Sequence, residues 1–123
     1  METYGEDPYL TSQLGVAFVK GLQGDDPKYL KAAACAKHYV VNNQEYERFK
    51  INVEVDERAL HEIYFAGFRA AVQQGKVLSV MGSYNKDMGT YVCNNKFLLN
   101  DVLKTQWGFQ GVVLSDWDAT HNT

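Results

Sequence analysis

An aspartate and a tryptophan directly follow a short apolar run near the end of this 123-residue chain. Asp116 comes after the apolar residues 112–114, and Trp117 comes after Asp116. A carboxylate beside an indole suits a carbohydrate ligand, because sugar rings stack on aromatic faces and carboxylates attack or stabilise an anomeric centre. An alternative that fits this local pattern equally well is that Asp116, or its neighbour Asp118, caps a following helix.

Lys37 and His38 follow an alanine-rich run. Burying two such polar side chains is costly unless a partner hydrogen-bonds them, and the hydroxyls of a sugar are one such partner. Taken singly, His38 is more often a hydrogen-bonded core histidine, and Lys37 is more often a surface lysine. Neighbouring strand residues point to opposite faces, so only a strand end or a bulge would direct both side chains into one cleft.

Three further residues are candidates because of their positions. Met81 and Tyr84 lie at the end of a second apolar run, where each is more often a packing residue than a ligand contact. Arg48 lies in the polar stretch 42–48, for which a solvated loop is the default interpretation. Its guanidinium fork could instead orient a carboxylate.

Three amphipathic helices are expected to position these residues. Their end signals are Asp7 and Pro8 for the first helix, Asp56 for the second, and Asn94 or Asn95 with Gly108 for the third. The stripes expected to pack on the core are Leu10, Leu14, Ala17, Phe18, Gly21 and Leu22; Leu60, Ile63, Tyr64, Gly67, Phe68, Ala71 and Val72; and Leu98, Leu99, Val102 and Leu103. Gly67 also predicts a close approach of the second helix to a sheet.

Short apolar runs at residues 32–36, 77–81 and 112–114 alternate with these helices and predict strands buried on both faces. Ile51, Val53 and Val55 alternate with polar residues and predict a half-exposed strand. The alternation of strands and helices indicates an α/β fold with right-handed βαβ units and a parallel sheet. The polar residues after the three runs should therefore converge at one edge of that sheet. Three units form only part of a (β/α)₈ barrel, so the chain is either a fragment or a small open α/β domain.

Composition and charge exclude several functional classes. A formal net charge of −3, without a lysine or arginine run, argues against nucleic acid and anionic membranes as partners. No apolar stretch is long enough to cross a bilayer, and the polar first seven residues lack the apolar core of an export signal, which leaves the compartment open. Cys35 and Cys93 are expected to be free, buried thiols. The histidines lack metal-ligand spacing, His61 is best interpreted as structural, and no cofactor or metal is implied.

Six motifs in order along the chain resemble those of glycoside hydrolase family 3, especially its β-glucosidases. The match covers essentially the whole sequence. The motifs are Gly5-Glu6-Asp7-Pro8, Ala36-Lys37-His38-Tyr39, Asn42-Asn43-Gln44-Glu45, Met81-Gly82-Ser83-Tyr84-Asn85, Trp107-Gly108-Phe109 and Ser115-Asp116-Trp117.

This resemblance implies that residues 1–123 are part of the family's N-terminal catalytic domain, an incomplete TIM-like (β/α)₈ barrel. It places Asp116 at the position of the nucleophile in a retaining hydrolysis of terminal β-glucosides or oligosaccharides, through a covalent glycosyl-aspartate. The substrate-binding positions that it implies are Lys37, His38, Tyr84, Met81, Trp117 and Arg48. Lys37 and His38 match residues that bind sugar hydroxyls, and Trp117 matches an aromatic wall for the next sugar. Asp118 departs from the glycine that is more usual after the Asp-Trp pair.

The same resemblance implies that parts of the site lie outside these residues. Retaining hydrolysis needs a second carboxyl group as acid/base, which the family supplies from later sequence, and no family match supports Glu45 or Glu47 in that role. We therefore expect the chain alone to be insufficient for turnover, and its partners to be the missing strands and C-terminal domain of a parent protein, or another copy of itself. The alternatives are a non-catalytic sugar-binding or structural fragment, an autonomous α/β binding domain, or a family member that acts on β-xylosides.

Overall fold

The computed structural model describes residues 3–121 and contains six strands and several helical segments in this range. In chain order they are α1 (Pro8–Gln23), β1 (Cys35–Tyr39), β2 (Asn52–Val53), α2 (Glu57–Ala59), the π-helical segment π1 (Leu60–Tyr64), α3 (Ala66–Gln73), β3 (Ser79–Gly82), β4 (Lys86–Asp87), β5 (Thr90–Tyr91), a 3₁₀ turn (Val92–Asn94), the π-helical segment π2 (Phe97–Gln106) and β6 (Val112–Ser115).

The principal sheet has the strand order β1-β3-β6, and all of its pairings are parallel. This confirms the predicted α/β architecture, with helical segments between consecutive strands of the sheet. The first strand was predicted about three residues too early, because regular pairing begins only where Cys35 faces Ser79. Lys37 and His38 therefore lie within β1 rather than after it.

The prediction that the strands are buried on both faces is wrong: β3 alternates partly exposed and buried residues, and the edge strands β1 and β6 are more exposed still. Val80 is fully buried, and Val113 packs against the same core. Val112 and Leu114, in contrast, are 57% and 43% exposed. β6 ends the strand order on one side and β1 on the other, so each has a single neighbour within residues 3–121. Val112 and Leu114 thus lie on a face of the sheet that residues 3–121 leave uncovered, as expected for part of a barrel.

The two cysteines are also more exposed than predicted. Both are free, as expected, but Cys35 at the edge strand β1 is exposed and Cys93 is only partly buried. The sequence signal for burial was the apolar run that includes Cys35, and this run loses its cover where the sheet ends.

Helix α1 begins as predicted but packs through a different face. The Asp7 carboxylate accepts hydrogen bonds from the backbone N–H groups of Tyr9 and Leu10 at 2.7 and 3.0 Å. The buried residues of α1 are Val19 and Gln23, and the helix packs against α3. The six stripe residues expected to form its core face, Leu10, Leu14, Ala17, Phe18, Gly21 and Leu22, are all exposed. Their apolar character therefore belongs to a surface that nothing in residues 3–121 covers.

Gln23 connects α1 to two strands of the principal sheet, which the sequence did not predict. Its side-chain amide donates to the Lys76 carbonyl at 3.0 Å, and its oxygen accepts from the N–H groups of Ala34 and Leu78 at 3.3 and 2.9 Å. These bonds satisfy a buried polar side chain and join the chain just before β1 to the chain just before β3.

The second helix starts at Asp56 as predicted, since its carboxylate accepts from the Ala59 N–H at 2.9 Å. The π-helical turn that follows changes the helical phase, so Ile63 of the predicted stripe is exposed and Phe65 is fully buried in its place. Gly67 was predicted to approach the sheet, but it approaches Thr11 of helix α1 instead. A Cβ at position 67 would lie 3.1 Å from the methyl carbon of Thr11.

The third helical segment agrees with its sequence signals. Asn95 accepts from the Leu98 N–H at 3.2 Å, and Gly108 has a φ of +72°, which suits a residue without a side chain at a helix C-terminus. Leu98, Val102 and Leu103 are fully buried.

A small second sheet pairs β2 parallel with β4, and β4 antiparallel with β5. The predicted half-exposed strand is confirmed as β2, but the β4–β5 hairpin was not predicted. Asp87 in β4 is buried, and its Oδ1 atom has no hydrogen-bond partner. Burial raises the pKa of the Asp87 carboxyl above its ordinary value.

No helix in residues 3–121 is both long and apolar enough to cross a membrane.

We predict that Asp87→Asn stabilises the fold at pH 7 by about 1 kcal/mol or more, because it removes a charge from a buried site. A raised pKa in the folded state favours folding below the unfolded pKa of about 3.9, and this advantage is lost as the pH rises through the folded pKa. The gain from Asp87→Asn should therefore shrink as the pH falls towards 4. Urea denaturation at pH 7 and pH 4.5 measures it, with the exposed Asp25→Asn as the matched control. A gain that is absent, or larger at pH 4.5, would contradict the account.

Candidate active site

The candidate site lies at the carboxyl ends of β1, β3 and β6. The parallel pairing continues beyond β6, where the Asp116 N–H donates to the Gly82 carbonyl at 3.0 Å. This bond brings the start of the segment after β6 beside the end of β3. Asp116 does not cap a helix: its Oδ1 accepts from the adjacent Trp117 N–H at 2.7 Å, and residues 117–121 contain no helix.

His38 faces Asp116 across the sheet. Its Nε2 lies 3.3 Å from Asp116 Oδ2, and both side chains are partly exposed. The register of β1 shifts by one residue between Ala36 and Tyr39, so Lys37 and His38 together oppose Met81 of β3. This is the bulge that the sequence required if both residues were to reach one cleft. Lys37 is exposed at the same bulge.

Tyr84 follows β3 and forms a hydrogen bond with the Asp116 carboxylate. Its side chain is buried. Burial, followed by the hydrogen bond and the charge of Asp116, raises the pKa of the Tyr84 phenol, and the nearby Arg48 guanidinium acts in the opposite direction. Tyr84 is therefore a neutral hydroxyl that can donate to Asp116 at physiological pH.

Arg48 reaches the site through the ring of Tyr84. Its guanidinium carbon lies 4.8 Å from the Tyr84 ring centroid and 5.1 Å from that of Phe49. The carboxylate that it contacts is Glu45, with 2.7 Å between Arg48 Nη1 and Glu45 Oε2. Arg48 thus pairs through one nitrogen with an exposed carboxylate of its own loop, and it also stacks on the ring of Tyr84.

Trp117 and Met81 occupy the margin of this group. The Trp117 side chain is 85% exposed, although its backbone N–H bonds Asp116. Met81 is partly exposed in β3, paired with Leu114 of β6. The structure therefore brings His38, Tyr84 and Asp116 into contact, and places Lys37, Met81, Arg48 and Trp117 around them.

Two buried side chains that follow β3 hold the strand ends together. The Ser83 hydroxyl and the Asn85 amide both donate to the Val40 carbonyl, at 3.1 and 3.2 Å. They join the ends of β1 and β3 and so fix the distance between His38 and Tyr84. The sequence showed both as polar residues after a strand but gave no signal for their shared partner.

Cys93 packs beneath the site and was not among the predicted site residues. Its thiol donates to the Ser83 carbonyl at 3.6 Å. A Cβ at position 82 would lie 2.7 Å from the Cys93 Sγ atom. Burial raises the pKa of the Cys93 thiol, as does the Asp116 charge, whereas the Asp116 N–H acts in the opposite direction. A neutral sulfur therefore fills the space that glycine leaves at the end of β3.

Within residues 3–121, no group of three histidine, cysteine or acidic residues is placed to hold a metal ion. His61 is structural, as predicted, and lies edge-on to Phe65 with 5.0 Å between ring centroids. The candidate site is a partly exposed carboxylate in contact with an imidazole and a phenol, with a cation and an indole nearby. This set of groups can bind hydroxyls and can present a carboxylate oxygen to an electrophilic carbon.

Comparison with known proteins identifies a family profile and relatives that agree with one another. The sequence profile described as the glycosyl hydrolase family 3 N terminal domain matches residues 1–122. The beta-glucosidase BoGH3A of Bacteroides ovatus is 49% identical over 122 residues, which are 99% of this chain and 16% of that protein.

Solved structures show the same similarity. DesR, a beta-glucosidase from Streptomyces venezuelae in complex with D-glucose, matches 98% of this chain and 15% of its own with a TM-score of 0.89 and 47% identity. The GH3 exo-beta-xylosidase XlnD matches 96% of this chain and 16% of its own with a TM-score of 0.93 and 38% identity. The chain thus spans about one sixth of the length of each of these proteins.

We predict that Gly82→Ala destabilises the fold by about 1–3 kcal/mol, because the added methyl group meets the sulfur of Cys93. Cys93→Ala removes that sulfur, so most of the loss should disappear in the double variant. Thermal or urea denaturation of the four proteins measures the coupling. Gly15→Ala is the control, since a Cβ at Gly15 would have no atom within 4 Å and alanine favours a helix. Additive effects of the two substitutions would contradict the described packing.

Proposed function

The chain belongs to glycosyl hydrolase family 3, and we propose that residues 1–123 are part of the N-terminal catalytic domain of a retaining β-glucosidase, with Asp116 as its nucleophile. The observation that carries this proposal is the contact of one carboxylate with both His38 and Tyr84 at the carboxyl ends of parallel strands. Active sites of β/α barrels are built at this end of the sheet.

The proposed reaction has two steps. A carboxylate oxygen of Asp116 attacks the anomeric carbon, the bond from that carbon to the leaving-group oxygen breaks, and an acid protonates the departing oxygen. Water then cleaves the resulting glycosyl ester, the same acid/base residue takes the water proton, and the sugar leaves with its configuration retained. The acid/base carboxyl group is proposed to come from parent sequence beyond these 123 residues.

The other residues are proposed to bind the sugar that is released. His38 and Lys37 stand together at the β1 bulge, where an imidazole and an ammonium can hydrogen-bond hydroxyls of the same ring. Arg48 contributes a further cation, and Met81 an apolar contact. Tyr84 donates its hydroxyl to the nucleophile and holds it in position. Trp117, which is largely exposed, offers an indole face to the next sugar.

Glucose is the favoured sugar because the similar proteins include beta-glucosidases, one of them solved with D-glucose. A β-xyloside is the second candidate, favoured by the similarity to the exo-beta-xylosidase. A xylose ring lacks the exocyclic CH₂OH of glucose, so the ratio of kcat/KM values for aryl β-glucosides and aryl β-xylosides in the parent enzyme distinguishes the two.

We predict that Asp116→Asn in the parent protein lowers kcat by about 10³-fold or more, because the amide cannot form the covalent intermediate. Steady-state hydrolysis of an aryl β-glucoside measures the change. Asp118→Asn is the matched control: Asp118 lies two residues away at a φ of +58°, which asparagine tolerates, and it should lose far less activity. Comparable losses in the two variants would contradict the assignment.

We also predict that the purified 123-residue chain does not hydrolyse aryl β-glucosides at a measurable fraction of the parent rate. It supplies one carboxylate to a reaction that needs two, and one face of its sheet is open. The parent protein assayed under the same conditions is the control. Turnover by the isolated chain at a rate similar to that of the parent would show that a complete site lies within it.

A further inference from the structure

Two consecutive residues of the chain after β1 contact the ring of Tyr84. The ring of Phe49 lies 4.5 Å from that of Tyr84 between centroids, at an interplanar angle of 58°. The guanidinium of Arg48 lies 4.8 Å from the same ring. The Tyr84 hydroxyl is the group that bonds Asp116, so these contacts act on the ring that sets the position of the hydroxyl oxygen.

The segment that carries Phe49 is fixed by hydrogen bonds at both sides. The N–H groups of Lys50 and Ile51 donate to the Glu47 carbonyl at 2.8 and 2.9 Å. The Ile51 carbonyl then accepts from the Lys86 N–H at 2.9 Å, which ties the segment to the chain two residues after Tyr84. Phe49 and Tyr84 are therefore attached to the same small sheet, and the position of one ring constrains the other.

Phe49 does not belong to the hydrophobic core of residues 3–121. Its side chain is 53% exposed, whereas the phenylalanines of the core, Phe65 and Phe109, are buried. A half-exposed aromatic residue contributes less to stability than a buried one. Within residues 3–121, the contacts of the Phe49 ring include the Tyr84 ring and the Arg48 guanidinium.

We propose that Phe49 is a positioning residue, which holds the Tyr84 ring so that its hydroxyl donates to the Asp116 carboxylate. This inference rests on the proposed function, because its effect on rate requires Asp116 to be the nucleophile. Phe49 acts through Tyr84 and need not touch the substrate. Without the phenyl ring, Tyr84 gains rotational freedom, and the fraction of enzyme with the correct hydrogen bond falls.

The test uses the parent protein and a double-mutant cycle. Phe49→Ala should lower kcat on an aryl β-glucoside by about 3- to 10-fold with little change in KM, and Phe49→Tyr, which keeps the ring, should restore the rate. In a Tyr84→Phe background, which lacks the hydroxyl, Phe49→Ala should change kcat by less than about 1.5-fold. Phe97→Ala removes another half-exposed phenylalanine and should leave kcat unchanged.

Three outcomes would overturn the inference. These are an unchanged kcat in Phe49→Ala, an equal loss on the Tyr84→Phe background, or a raised KM with kcat preserved, which would indicate a role in substrate binding, directly or through Arg48. If Phe49→Ala does not fold, Phe49→Leu replaces it in the same cycle, since leucine keeps apolar volume without a flat ring. If the inference about Phe49 fails, Asp116→Asn should still lose activity. If the proposed function fails, Asp116→Asn should keep full activity.

Discussion

The parallel pairing of β3 with β6 is the constraint on which the site depends. It runs without a shift from the Ser79–Val112 pair to the Gly82–Ser115 pair, and it continues through the bond between the Asp116 N–H and the Gly82 carbonyl. A slip by one residue would turn the Asp116 side chain to the opposite face. The β1–β3 pair, in contrast, needs an irregularity, because the bulge is what allows His38 to meet the same carboxylate. One regular and one irregular pairing therefore assemble the site together.

Local chemistry made much of this fold predictable. The caps at Asp7 and Asp56, the glycine at position 108 and the parallel order of the three strands follow from hydrogen-bonding needs and apolar runs within short segments. The convergence of His38, Tyr84 and Asp116 could be expected because the ends of parallel strands lie on one face. The contacts that sequence reasoning missed join distant segments: the bonds of Gln23 to the chain before β1 and β3, the fit of Cys93 against Gly82, and the stacking of Phe49 on Tyr84. No local pattern encodes them, since each depends on how separate elements pack.

The errors about burial have a common cause. The apolar stripe of α1, and Val112 and Leu114 of β6, were expected to be buried, and the structure leaves them exposed. Their apolar character is typical of surfaces that meet neighbouring elements of a complete barrel, and the chain spans about one sixth of the proteins that it resembles. The sequence therefore shows which residues are apolar, but it does not show which of them are buried within these 123 residues. The π-helical turn at residues 60–64 is a separate case, because it changes the helical phase that the pattern assumed.

A nucleophilic Asp116 must form a covalent bond with the sugar, and this bond can be trapped. A 2-deoxy-2-fluoro glucoside with a good leaving group would be incubated with the parent protein, and the labelled peptide would be located by mass spectrometry. The account predicts a fluoroglucosyl ester on Asp116 within the peptide that contains Trp117. A label on any other carboxylate, or stoichiometric inactivation without a label on Asp116, would contradict it.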